Sequence, residues 1–200
     1  MKDSARNRRS RADAARNREA VLDAATRLLD RDPGISMEAL ASTAGVTRQT
    51  VYAHFASREE LLAAALDRIT DEAVAAMDAA DLDRGPAAAA LVRLIEAGDE
   101  VAQRYPGLVG LAAPLADTET DLARHSPVVD RIMQVIRRGQ ATGEFDPQAP
   151  PEWLAAAVIA LGHAAGREAA TGRLTSTQSQ EALRVSLMRI LDVKSQSPED

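Results

Sequence analysis

The stretch Ser36-Met37-Glu-Ala-Leu-Ala-Ser-Thr-Ala-Gly45-Val-Thr47-Arg-Gln-Thr-Val-Tyr-Ala-His-Phe55-Ala-Ser57-Arg-Glu-Glu-Leu-Leu62 decides the fold. Ser36 has the side chain of a helix N-cap, and a short helix through Ala44 follows with Leu40 and Ala44 turned inward. Gly45 supplies a tight turn. Thr47 is a second N-cap, followed by a helix through about Phe55. Ser57 caps a longer helix that carries Leu61, Leu62, Ala65, Ile69, Ala73 and Met77 on one side. A short helix, a Gly-containing turn and a second helix make the helix-turn-helix pattern. Within the second of these helices Val51 and Phe55 lie four apart and share the core side, while Gln49 and Ala53 point nearly opposite, flanked by Thr50 and Tyr52. The outer face therefore offers an amide, hydroxyls and a small side chain, groups that read base edges and phosphates. Arg48 sits in the first turn, where a helix N-terminus favours phosphate.

Upstream, Val21, Leu22, Ala25, Leu28 and Leu29 give one face of a helix from about Arg16, stopped by Asp32-Pro33-Gly34. Residues 1–15 lack apolar periodicity and read as a mobile basic arm, either tracking DNA or simply solvated. Downstream, apolar spacing marks helices around Leu91–Ala102, over 127–141, over 151–171 and over 176–193. Pro106, Pro114 and Pro127 divide the middle into short pieces, and Gly172 ends the long helix. No strand pair or internal repeat appears in the sequence, so the fold is all-α with about nine helices. The division is an arm at 1–15, a helix-turn-helix domain at 16–60, a helical effector-binding and dimerisation domain at 61–194 and a frayed tail at 195–200.

Composition agrees. Hydrophobic residues make up 46% of the 200 residues but aromatics only 2%, so the core is built from Ala, Leu, Val, Ile and Met, which favours close-packed helices. The absence of cysteine excludes disulfides, thiol nucleophiles and thiolate metal sites. The net charge of −6 is an average. Residues 1–58 hold 11 basic and seven acidic side chains, while residues 59–200 hold 13 and 23. A basic head for an anionic partner thus precedes an acidic body. The start of the chain lacks an apolar signal core, and the apolar stretch Trp153–Gly166 falls short of the ~20 residues a spanning helix needs, so no membrane partner is called for. The expected location is the cytoplasm.

The run Ala44-Gly-Val-Thr, then Val51-Tyr-Ala-His-Phe55, then Arg58-Glu-Glu-Leu-Leu62 resembles the tetracycline-repressor (TetR) family of transcriptional regulators. The strong resemblance covers about residues 16–65. It implies a ligand-responsive regulator, more a repressor than an activator, that binds a pseudo-palindromic double-stranded DNA operator as a homodimer and is released by a small molecule. The positions it assigns to DNA are Ser36, Thr47, Arg48, Gln49, Thr50, Tyr52, His54 and Arg58. At Arg58 the family usually has lysine; arginine keeps the charge but presents a planar fork. Family members often carry a basic or polar residue where this chain has Glu38, and no DNA contact is carried onto that acid.

For the body, the last helix is apolar on more than one face, and Gly162 and Gly166, four apart, permit close helix approach. A two-fold interface is accordingly expected at Leu161, Gly162, Gly166, Leu183, Leu187, Met188 and Leu191. An effector pocket is expected from Tyr105, Leu108, Leu111, His125, Met133, Ile136, Trp153 and His163. The effector's identity is left open. An architectural or interaction role without a pocket is the alternative. Enzyme readings lack support in the sequence, which carries no Gly-rich phosphate loop, HExxH or nucleophile elbow. No catalytic residue, metal or cofactor is called.

Overall fold

The computed structural model describes the backbone of residues 2–112 and 119–191 and the side chains of residues 13–111 and 123–191. Among these, the regular structure is entirely helical: α1 Lys2–Arg31, α2 Met37–Ala44, α3 Arg48–His54, α4 Arg58–Asp78, α5 Ala87–Arg104, α6 Pro106–Ala112, α7 Glu119–Thr142, α8 Pro151–Ala170 and α9 Ser176–Leu191. Two compact units share the chain. The first holds residues 1–71 and 102–121, the second residues 72–101 and 122–200. Each has its own apolar core.

The first unit is built on α1, against which α2, α3 and α6 pack. Val21, Leu22, Ala25 and Leu29 of α1 meet Leu40 of α2, Val51 of α3, Phe55, and Leu61, Ala65 and Leu66 of α4. Full burial of each of the larger side chains contributes roughly 1.5–3 kcal/mol. Leu108 of α6 is wholly buried in this same core, with Tyr105 and Leu111 packed against it. Arg68 of α4 bonds Glu19 at 3.2 Å and Asp23 at 2.6 Å on α1, fixing the two helices side by side at the surface.

The second unit gathers Leu91 and Leu94 of α5, Ile132, Met133, Val135 and Ile136 of α7, Phe145, Leu154 and Val158 of α8, and Leu183, Leu187 and Leu191 of α9. Helices α8 and α9 pack side by side.

Two local expectations change. The basic segment expected as a free arm before Arg16 is the start of α1. Residues 2–15 are rich in Ala and Arg and contain neither Gly nor Pro, so intrinsic propensity carries the helix outward without an apolar face. Pro127 lies inside α7 instead of dividing it. An interior proline costs about 3 kcal/mol, which the burial of Ile132, Met133, Val135 and Ile136 further along the same helix offsets. Helix α9 is described as far as Leu191, and the remainder of the helix expected to 193, Pro114 and the tail at 195–200 lie outside the described residues.

Candidate nucleic-acid interface

Caps built from short polar side chains set each helix of the motif. Ser36 is extended (φ −78°, ψ 155°), and its hydroxyl accepts from the N–H of Ala39 at 3.2 Å, starting α2. Met37, Leu40 and Ala41 turn that helix onto the core. Gly45 ends it at φ 68°, a conformation that a side chain would strain, and its N–H returns to the last turn. Val46 N–H also reaches back, to the carbonyl of Ala41 at 3.0 Å. Thr47 repeats the device for α3: its hydroxyl accepts from Thr50 N–H at 3.1 Å and lies 2.9 Å from the Thr50 hydroxyl. Ser57 caps α4, accepting from Glu60 N–H at 3.1 Å, while the Glu60 carboxylate accepts from Ala56 N–H at 2.7 Å. This reciprocal pair closes the turn after α3.

Val51, fully buried, and Phe55, 1% exposed, pin α3 to the core, and the Arg18 guanidinium lies 5.1 Å above the Phe55 ring. That anchoring leaves Arg48, Gln49, Tyr52 and Ala53 exposed and Thr50 and His54 half-buried. The outer face expected from the spacing is therefore present. Ser36 and Thr47 commit their hydroxyls to caps. Arg58 donates to the carbonyl of Pro33 in the turn between α1 and α2, so a phosphate reaching it must compete with that bond.

The feature that sequence spacing does not announce is the pairing of Arg48. Its guanidinium donates to the Glu38 carboxylate at 2.6 Å and lies 5.4 Å from the centroid of the Tyr52 ring. Tyr52 first and Glu38 second push its already high pKa further up. Glu38 and Arg48 are ten residues apart on different helices, so neither helical period relates them.

In the second unit the residues expected around an effector do not form one lining. Tyr105, Leu108 and Leu111 belong to the first unit's core, because α6 packs on α1. Met133 and Ile136 are core residues of the second unit. Trp153 is 69% exposed on the first turn of α8. His125 and His163 do meet, edge to face with ring centroids 6.0 Å apart. On α5 the carboxyl of Asp99 is pushed up to about 6, chiefly by burial and then by Glu96. An open cleft of about 470 Å³ is lined by Asp78, Asp81, Leu82, Asp83, Arg84 and Gln134, none of them expected at a pocket. Among the described residues no three His, Asp or Glu side chains gather in a metal-binding group, and no helix is long and apolar enough to cross a membrane.

The residues expected at a partner interface divide between core and surface. Leu183, Leu187 and Leu191 are 5%, 0% and 0% exposed because they form, with Ser179, a four-residue-spaced stripe turned into their own core. Leu161 and Met188 are half-buried against the same core. Gly162 and Gly166 have open space where a Cβ would project. On α8, Trp153, Ala156 and Ala160 are all exposed at three- and four-residue spacing, and Ile190 of α9 is exposed as well.

Comparison with known proteins reaches beyond the motif to most of the chain. Residues 21–65 match the family model for bacterial regulatory proteins, tetR family. The HTH-type transcriptional repressor LfrR of Mycolicibacterium smegmatis is 33% identical over 169 residues, covering 84% of this chain and 86% of that protein. A crystal structure of the TetR-like regulator LfrR from Mycobacterium smegmatis in complex with proflavine superposes with a TM-score of 0.66 at 30% identity, covering 90% of this chain and 98% of that one. A putative TetR-family regulator from a Rhodococcus species shares the fold, with a TM-score of 0.71 at 24% identity over 89% of this chain and all of that one.

Proposed function

The chain belongs to the tetR family of bacterial regulatory proteins, and from that premise we propose that it acts in the cytoplasm as a dimeric repressor which a small molecule releases from its operator. The observation that carries the DNA-binding part is the anchored α3. Val51 and Phe55 lock one side, and the other presents Arg48, Gln49, Tyr52 and Ala53 to solvent. Such a face can enter a major groove and offer donors and acceptors to base edges. Thr50 and the α3 N-terminus lie where phosphates flank the groove.

Dimerisation is assigned to the outward face of α8, where Trp153, Ala156 and Ala160 leave apolar surface uncovered among the described residues. An aromatic anchor beside alanines suits close helix-to-helix contact. A two-fold pair would present its recognition helices to half-sites about 34–36 Å apart. The effector reading is supported by LfrR, whose solved structure contains proflavine. A molecule bound in the second unit acts on DNA only through different affinities for two conformations.

Gel shifts on the DNA upstream of the protein's own gene test the reading, with proflavine as the first compound added. Specific binding by wild-type protein, lost in the Arg48→Ala/Tyr52→Ala double variant, is the expected result. Retained specific binding in that variant would overturn the assigned face.

A further inference from the structure

An acid on a surface that meets phosphate weakens binding unless it does something else. Glu38, in the first turn of α2, stands on the interface side, 2.6 Å from the guanidinium of Arg48, which opens α3. Both side chains are largely exposed, 68% for the carboxylate and 57% for the guanidinium. The bond therefore contributes little to folding and nothing steric prevents its exchange. Tyr52, one turn further along α3, supplies a ring against which the paired guanidinium rests. Together Glu38 and Tyr52 hold Arg48 across the face of the motif.

We propose that Glu38 is a specificity-determining residue that withholds Arg48 from phosphate until α3 is seated in its cognate groove. This rests on the DNA-binding reading above. In a loose complex on unrelated DNA, α3 is not fully inserted, and the carboxylate keeps the guanidinium. Once the cognate groove admits α3, base edges and phosphates around Arg48 offer better-placed acceptors, and the partner is exchanged. Non-specific binding is mostly phosphate neutralisation, whereas specific binding adds groove contacts. Removing one phosphate contact from the loose complex alone widens the gap between the two. The price is that cognate binding must break one exposed ion pair, which salt already weakens.

The test measures how binding falls with salt on two duplexes, one of scrambled sequence and one enriched from a random library by the wild-type protein. Each phosphate neutralised adds close to one to the slope of log affinity against log salt. Glu38→Gln should steepen the slope on scrambled DNA by about one and leave the slope on the enriched duplex unchanged, so that the specificity ratio falls. In an Arg48→Ala background the same Glu38→Gln change should no longer steepen it. An unchanged slope on scrambled DNA overturns the proposal. So does a change that persists without Arg48, because Glu38 would then act only as a general negative charge. Failure of the wild-type protein to enrich any duplex would refute the DNA-binding reading itself, and this inference with it. Unfolding midpoints of the variants, expected to match wild type, confirm that the same folded protein is compared.

Discussion

The Asp30 carboxylate, near the end of α1, accepts the N–H of Gly107 at 2.8 Å and so caps α6 from a helix 77 residues earlier in the chain. The N–H of Leu108 points to the same oxygen at 3.3 Å. Pro106, at the first position of α6, has no N–H to satisfy. The approach is so close that a Cβ at Gly107 would run into the backbone carbonyl of Asp30. Gly107→Ala must therefore push α6 off α1 and disturb the socket of Leu108. A loss of about 1–3 kcal/mol is expected, read as a lower urea midpoint. Asp30→Ala should cost about 1 kcal/mol through the missing cap. If Gly107→Ala leaves the midpoint in place, the close approach is not the constraint described.

The two sides of α3 should separate binding from folding. Gln49→Ala and Tyr52→Ala remove exposed groups, so the unfolding midpoint should stay in place. Operator affinity should drop by about 1–3 kcal/mol for each side chain withdrawn from a base edge. Phe55→Ala empties a core position and should cost about 3–5 kcal/mol of stability. A loss of DNA binding by Phe55→Ala without any change in thermal unfolding would contradict its place in the core.

Trp153 is the chain's single tryptophan and lies 69% exposed on α8. A dimer closed through that face covers it. Its fluorescence should therefore shift to longer wavelength as the protein is diluted through its dissociation range, and Trp153→Arg should yield a monomer by sedimentation. Emission typical of a solvated indole at every concentration would place the partner surface elsewhere.

Asp99 gives a pH dependence with a definite sign. Folding raises its pKa from 3.8 to about 6, so the ionised carboxylate is the disfavoured form in the folded chain. The penalty is absent below 3.8, grows between 3.8 and about 6, and is complete above. Asp99→Asn removes it. The variant should melt higher than wild type above pH 6, with the advantage shrinking to nothing as the pH falls below 3.8. A constant advantage at every pH would mean that ionisation is not its origin.

Local chemistry makes the motif readable. Ser36, Thr47 and Ser57 each cap the helix that begins beside them, and Gly45 takes the turn conformation its type permits. These interactions reach no further than three or four residues. The misreadings come from longer range or from the wrong signal. Apolar periodicity marks where a helix is buried, not where it starts, so the first half of α1 is invisible to it. Leu183, Leu187 and Leu191 are apolar on one stripe, which says that they are covered but not by which chain. Tyr105, Leu108 and Leu111 sit beside α5 in sequence, yet α6 packs on α1, and no local pattern encodes that return. The Glu38–Arg48 bond has the same character, since it exists only once Gly45 has folded α3 back against α2.

The return of α6 also bears on any attempt to transplant the DNA-binding head. A fragment cut after Asp71 would look complete by its motif, but it would lack Leu108 and the backbone that Asp30 caps. It would present an unfilled apolar socket and an idle carboxylate at the end of α1. Chimeric regulators that borrow this head must carry residues 102–111 with it, stitched in from the other side of the chain.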